Sequence, residues 1–407
     1  MSDPTRSAAF DLLTVVLDQR RTLEDALDAL PTIAPRDRAA AHRLAAAVLR
    51  RLGSLDAAIE PYLKKAPPDP VRHILRLGAA GLLLLDAPPH AAVTTAVELA
   101  KSRRLVPFAP LVNAVLRRIA QAGVSALEGL DGPRLDTPSW LWSTWGSEAR
   151  VIALAHLHEA PVDLTLSPGC PPPAGGEELP TGSWRYPAGT RVTELAGFAA
   201  GGFWVQDAAA ALPAMLLAVR PGERVADLCA APGGKTAQLA STGAAVTAVE
   251  RDGARMARLR ENLVRLKLQA ETVVADVVDW LAPGKFDAVL LDAPCSATGT
   301  IRRHPDVAYL KRPRDVAALA ERQERLLDAA AAMLRPGGRL IYAVCSLQGE
   351  EGAELVRRST LRPMPFTAQD CMLPEALTLE GWLRTTPALW PERGGMDGFF
   401  IARLQRV

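Results

Sequence analysis

The sequence predicts two architectures in one chain: an all-α bundle over residues 1–135, then, from about residue 201, an α/β domain on a mostly parallel, doubly wound sheet. Three observations predict this. Apolar residues in the first stretch recur at spacings of three and four, as at Phe10, Leu13 and Leu17, which lines one face of a helix. From Asp207 onward, short β-rich runs alternate with helical segments, the pattern of parallel strands joined by crossover helices. Between them, over about 136–200, the run Ser167-Pro168-Gly169-Cys170-Pro171-Pro172-Pro173 and the pair Gly175-Gly176 break any regular element, so a linker and a small, partly irregular subdomain are expected there.

In the first stretch Leu44, Ala47 and Val48 repeat the helical spacing, and Pro31, Pro35, Pro67-Pro68 and Pro88-Pro89 punctuate short helices. Thr22 and Asp69 stand where N-caps are expected. In the last stretch the strand candidates are Arg224 to Leu228, Ala245 to Val249, Thr272 to Ala275, Phe286 to Leu291 and Arg339 to Val344.

The chain has 407 residues, 49% hydrophobic and 23% charged, which suits a globular protein of two or three domains. A formal net charge of +2 decides nothing about a polyanionic partner, because clustering matters more than the total. Met1-Ser2-Asp3-Pro4 does not open a secretory signal, and the run Leu77 to Leu85 is too short to span a bilayer. The expectation is a cytoplasmic monomer without a membrane association. Five scattered cysteines with no CxxC pair suggest neither a disulfide framework nor a zinc site, and no metal is expected.

Val225-Ala226-Asp227-Leu228 followed by Cys229-Ala230-Ala231-Pro232-Gly233-Gly234-Lys235-Thr236 reads as a first strand turning through a glycine-rich loop into a helix, where ligands bind in folds of this kind. The pattern GxxxxGK[ST] is not present, which disfavours a Walker-type nucleotide site. Glu250 closes the second strand about sixteen residues after Gly234, where an acid takes ribose hydroxyls, and Asp276 closes the third. Acids at such places also serve as helix caps.

Asp292-Ala293-Pro294-Cys295 closes one later strand, and Cys345-Ser346 closes another. Both thiols are expected to face the ligand crevice. A thiolate can add to carbon 6 of a cytosine and so activate the weakly nucleophilic carbon 5 for alkylation; a second group must then help to release the adduct. The plainer alternative is a pair of buried cysteines acting as small apolar residues.

These segments resemble the RsmB family, also called Fmu or Sun, of ribosomal RNA cytosine-5 methyltransferases within the NOL/NOP/Sun group. The resemblance rests on Asp227 to Thr236, on Asp292-Ala293-Pro294-Cys295-Ser296-Ala297-Thr298-Gly299 with Ile301-Arg302-Arg303-His304-Pro305-Asp306, on Val205-Gln206-Asp207, and on Asp397-Gly398-Phe399-Phe400. It implies a Rossmann-like class I methyltransferase domain over 201–407 that uses S-adenosylmethionine. By resemblance, Cys345 is the nucleophile, Cys295 the cysteine that helps to release the product, and Asp292 the carboxylate beside base and cofactor. Cys229, Ala230, Ala231, Pro232, Gly233, Gly234, Lys235, Glu250, Asp276 and Asp292 would contact the cofactor. Val344 replaces the family's usual Thr, and Gly349 and Gly352 its usual Pro and Asn.

The first stretch resembles a NusB-like RNA-binding domain through Arg36-Asp37-Arg38-Ala39, Ile74-Leu75-Arg76-Leu77-Gly78 and Val112-Asn113-Ala114-Val115-Leu116-Arg117-Arg118. The implied substrate is small-subunit (16S) ribosomal RNA. A transfer RNA cytosine-5 methyltransferase, and a non-catalytic RNA-binding or antitermination factor, are the alternatives. Arg302, Arg303 and Arg312 follow the Cys295 loop and are expected to hold RNA phosphates, although a solvated face balanced by Asp306 and Asp315 would look the same. Trp140, Trp142 and Trp145 are read as packing residues rather than base-stacking ones.

Overall fold

The computed structural model describes residues 3–370 and 372–407; Met1 and Ser2, read above for a signal, and Cys371 lie outside the described residues. The chain divides into two compact units. One holds the chain up to Glu159 together with Ile301–Arg312, and the other holds Ala160–Thr300 with Pro313–Val407.

The first unit is helical. Helix Asp69–Leu84 buries Val71, Ile74, Leu75 and Leu77 and packs against helices Pro4–Leu17, Pro35–Arg50, Leu52–Ile59, Pro89–Ser102 and Ala109–Ala122. Each such buried aliphatic side chain contributes about 1.5–3 kcal/mol. Thr22 caps helix Leu23–Asp28 by accepting the Asp25 N–H at 3.0 Å. Asp69 is not a cap: Pro68 takes that place and Asp69 is the first helical residue, where its charge still complements the helix dipole. The helical unit also runs past residue 135, through short helices Ser139–Trp145 and Ala149–His156. Trp145 is buried and meets His156 edge-on at 5.6 Å, while Arg134 and Arg150 lie over the Trp142 ring.

The segment 301–312 completes this unit. Asp306 is buried and accepts the Leu23 N–H at 2.9 Å, and Arg50 donates to the Arg302 carbonyl at 2.9 Å. Arg20 donates to the Leu310 carbonyl, and Tyr309 and Leu310 pack on the helical core.

The second unit begins with four short strands, β1 (Val162–Leu166), β2 (Glu177–Glu178), β3 (Trp184–Tyr186) and β4 (Phe203–Val205), in an antiparallel sheet ordered β2-β3-β1-β4. The region read as linker and irregular subdomain therefore holds two short helices and then three of the four strands of a small sheet. A buried ion pair, Arg185 to Asp163 at 2.7 Å, ties it to the Ala208 N–H, which also donates to Asp163.

The main sheet contains β5 (Arg224–Leu228), β6 (Ala245–Glu250), β7 (Glu271–Val274), β8 (Phe286–Asp292), β9 (Leu334–Val344), β10 (Arg362–Pro363), β11 (Leu383–Arg384) and β12 (Phe400–Gln405). Its order is β10-β12-β9-β8-β5-β6-β7, with β11 paired to β12. Strands β5 to β9 are parallel, and β12 is antiparallel to β9. Strand β9 starts five residues ahead of the expected Arg339, with a register irregularity opposite Phe286 and Ala288. Buried runs such as Ala288 to Leu291 and Leu340 to Val344 are the continuous apolar strands that a sheet covered on both faces requires.

Candidate active site at the carboxyl ends of the parallel strands

Strand β5 delivers the glycine-rich loop. Gly233 has φ +103° directly before helix Gly234–Ala240, and a Cβ there would lie 2.9 Å from Leu259 Cγ, so only glycine serves both needs. Beneath the loop Asp227 is fully buried. Its Oδ2 accepts the Thr236 hydroxyl at 2.5 Å, while Oδ1 has no hydrogen-bond partner. Burial pushes this carboxyl up to about 7, against the Thr236 hydrogen bond and the Lys235 charge.

Glu250 ends β6, buried, accepting the Asp252 N–H at 3.1 Å and an Arg255 guanidinium N–H at 3.2 Å. Arg255 also donates to the Ala231 carbonyl, joining this acid to the glycine loop. Asp276, just past β7, accepts from Arg322 at 2.9 Å and from the Val278 N–H at 3.2 Å. It is thus both a strand-end acid and a local cap.

The two thiols meet. Cys295 Sγ and Cys345 Sγ are 3.4 Å apart, both half-buried, just beyond the ends of neighbouring strands β8 and β9. The hydrogen bond to Cys345, and then burial, push the Cys295 thiol well above its ordinary value. Cys229 is driven to about 12 by burial and by Glu250, so it stays a neutral thiol. Lys235 Nζ donates to Asp292 Oδ2 at 2.7 Å and lies 5.3 Å over the Phe399 ring. Burial works against the Lys235 ammonium, but Asp292, and to a lesser degree Cys345, override it and raise its pKa. The crevice therefore holds a retained cation, a carboxylate and a thiol pair.

Two glycines allow the loops to close on each other. The Gly299 N–H donates to the Cys345 carbonyl at 3.0 Å, and the Gly398 N–H to the Gly299 carbonyl at 2.8 Å. A Cβ on Gly299 would stand 2.0 Å from the Gly398 oxygen. Asp207 accepts the Asp397 N–H at 3.0 Å, so the segments Val205-Gln206-Asp207 and Asp397-Gly398-Phe399-Phe400, far apart in sequence, brace one another behind the thiols.

Comparison with known proteins matches residues 214–405 to the family model "16S rRNA methyltransferase RsmB/F" and residues 3–121 to the NusB family. The ribosomal RNA small subunit methyltransferase B of Cronobacter sakazakii is 35% identical, covering 98% of each chain. The chain belongs to the RsmB/F family of 16S rRNA methyltransferases. The enzyme of the same name from Xanthomonas campestris pv. campestris is 36% identical over 90% of each chain. Among solved structures, PH0851 shares the fold over the full length of both chains, with a TM-score of 0.75 at 24% identity. A methyltransferase homologue from Pyrococcus horikoshii covers 69% of this chain and 96% of its own, with a TM-score of 0.53 at 25% identity.

RsmB/F enzymes depend on S-adenosylmethionine, and the crevice suits that molecule. Its ammonium and ribose hydroxyls are hydrogen-bond donors, and the strand ends offer acceptors: the buried, unpartnered Asp227 Oδ1 beneath the glycine loop, then Glu250 and Asp276. Residues Cys229 to Lys235 follow β5 and lead into helix Gly234–Ala240.

All the residues expected around cofactor and base lie at the carboxyl ends of β5 to β9, in the loops that follow, or, for Gly234 and Lys235, in the first turn of helix Gly234–Ala240. The three arginines do not share one environment. Arg302 is 1% exposed, which speaks against its reading as a phosphate contact. Arg303 is half-buried and Arg312 exposed. The reading of single residues missed Asp227 as a site residue, although an acid inside the apolar run Val225 to Leu228 was a visible sign.

Proposed function

We propose that this chain methylates carbon 5 of a cytosine in 16S ribosomal RNA, with Cys345 as covalent nucleophile and Cys295 as the thiol that assists release. The observation that carries this reading is the pair of thiols 3.4 Å apart beside the Lys235 and Asp292 ion pair. Amino-group methylation needs no nucleophile of this kind. A thiolate added to carbon 6 turns carbon 5 into an enamine carbon able to take an electrophilic methyl.

Cys345 gives up its thiol proton to solvent, and the resulting thiolate supplies the electron pair of the new sulfur–carbon 6 bond. Asp292, with Oδ2 engaged by Lys235, presents its other oxygen to the polar edge of the base. The electron pair displaced toward N3 is met by a proton carried by the Lys235 and Asp292 pair. S-adenosylmethionine supplies the methyl group as a sulfonium substituent. The proton on carbon 5 then passes to a solvent base, the sulfur–carbon 6 bond breaks to return the electron pair to Cys345, and the N3 proton goes back to the Lys235 and Asp292 pair. Cys295, which holds its proton tightly, donates to that departing sulfur and so assists the elimination. Arg303 and Arg312 are proposed phosphate contacts. The target base must be unpaired or flipped out to enter the crevice.

The test is transfer of labelled methyl to unmodified 16S rRNA, with the modified nucleoside identified. Wild type is expected to make 5-methylcytosine and Cys345→Ala none. Another modified nucleoside, or an active Cys345→Ala protein, overturns the chemistry. Methylation of transfer RNA but not ribosomal RNA overturns the substrate.

A further inference from the structure

Beneath the thiols lies a carboxylate with no part in the steps above. Glu351 is fully buried, and its carboxylate oxygens accept four hydrogen bonds. Oε1 takes the Ser296 N–H at 2.8 Å and the Gln323 side-chain amide at 3.1 Å. Oε2 takes the Ser296 and Ser346 hydroxyls, each at 2.5 Å. Ser296 directly follows Cys295 and Ser346 directly follows Cys345. Gln323 also holds the carbonyl of Pro294, the residue before Cys295, at 3.0 Å, and Tyr342 donates to the Glu351 carbonyl at 2.6 Å.

The sheet ladder alone does not explain where the sulfurs sit. Pairing of β8 with β9 ends at Asp292 and Ala343, three residues before Cys295 and two before Cys345. Beyond that point neighbouring chains diverge unless something ties them. A buried carboxylate is costly unless its acceptor sites are filled; here the donors that fill them come largely from the residues flanking the two cysteines. An apolar core at this place would fold with less penalty but would leave both loops untied.

We propose that Glu351 is a positioning residue that sets the separation of Cys295 and Cys345 by binding Ser296 and Ser346 to one carboxylate. The functional part of this inference rests on the two-thiol reading. The geometric part stands apart from it, since the spacing of two thiols can be read without RNA or cofactor.

The experiment combines a thiol-spacing probe with kinetics on the full chain. A bifunctional bromobimane is used to cross-link Cys295 to Cys345, with the bridged peptides identified by mass spectrometry. Glu351→Gln is expected to reduce that cross-link at least tenfold. It is also expected to lower kcat for methyl transfer about a hundredfold, with KM for 16S rRNA and the Kd for S-adenosylmethionine within threefold of wild type. Ser346→Ala, which removes one of the four donors, guards against a Glu351→Gln protein that does not fold; it should give a partial loss of cross-link and about a tenfold drop in kcat. Wild-type cross-linking and kcat in either folded variant overturn the proposal. If the cross-link falls as expected but Cys345→Ala still methylates RNA, the positioning geometry stands and the two-thiol chemistry fails.

Discussion

Residues 292–300 and 301–312 are consecutive in the chain, and each contains part of the sequence signature that carries the family resemblance, yet they serve different bodies. The first stretch brings Asp292 to Lys235, Cys295 to Cys345 and Gly299 to the Cys345 carbonyl. The second leaves that unit and joins the helical one, where Asp306 caps the Leu23 N–H and Arg302 is buried. A run of basic residues directly after a catalytic loop suggests a nucleic-acid contact. Here part of the run is structural, and burial separates the two roles.

The largest effect is expected from Gly299→Ala. The added Cβ must displace the Gly398 carbonyl, so stability should fall by about 3 kcal/mol and methyl transfer by about a hundredfold or more as the Cys345 loop moves. Thermal melting and single-turnover kinetics measure both, and a variant with wild-type values in each would contradict the close-approach account. The next effect contrasts Arg302 with Arg312. Arg302→Met should cost about 2 kcal/mol and protect the helical unit less from hydrogen exchange, while leaving the salt dependence of RNA binding unchanged. Arg312→Ala should leave stability near wild type and reduce the slope of log K against log salt by about 0.7 to 0.9. The reverse pattern would restore Arg302 as a phosphate contact.

The smallest effect separates the two units by pH. In the helical unit, burial first, then Arg302 and Arg50, hold His156 down to about 3; unfolded, it titrates near the ordinary value of about 6.5. As pH falls below about 6.5, the unfolded state takes up a proton that the folded one refuses, and this unit loses stability. Asp227 has the opposite sign. Folded, it titrates at about 7, and unfolded at about 3.9, so the folded state holds the extra proton between those values and gains stability as pH falls from about 7 toward 4. Peptide-resolved hydrogen exchange at pH 7.5 and 5 should show protection falling around His156 and rising around Asp227. Asp227→Asn should abolish the rise. A rise that survives in that variant would contradict the assignment.

Much of the catalytic unit was legible in the sequence because its signals are local. The glycine loop, the strand-end acids and the two cysteines each sit inside a short stretch whose type and spacing carry the chemistry. Other features depend on contacts between distant residues. Helices Ser139–Trp145 and Ala149–His156, seven and eight residues long, are too short for periodicity to show, so the bundle was read as ending at 135 rather than 159. Strands β2 and β3, two and three residues long, sit among prolines and glycines that mask any alternation. Glu351 follows Gly349-Glu350 and reads as part of a solvated turn; Glu350 is exposed, but Glu351 is fully buried. No local pattern distinguishes them, since the donors that hold Glu351 include Ser296 and Gln323, 55 and 28 residues away.

The central claim is that Cys345 bonds to the base and Cys295 assists its release. The most direct measurement is a denaturing gel of protein mixed with 16S rRNA and S-adenosylmethionine, with the bridged peptide identified by mass spectrometry. The account predicts an accumulating RNA–protein adduct through Cys345 in Cys295→Ala, and none in Cys345→Ala or in the double variant. An adduct through Cys295, or one that persists without Cys345, would contradict it.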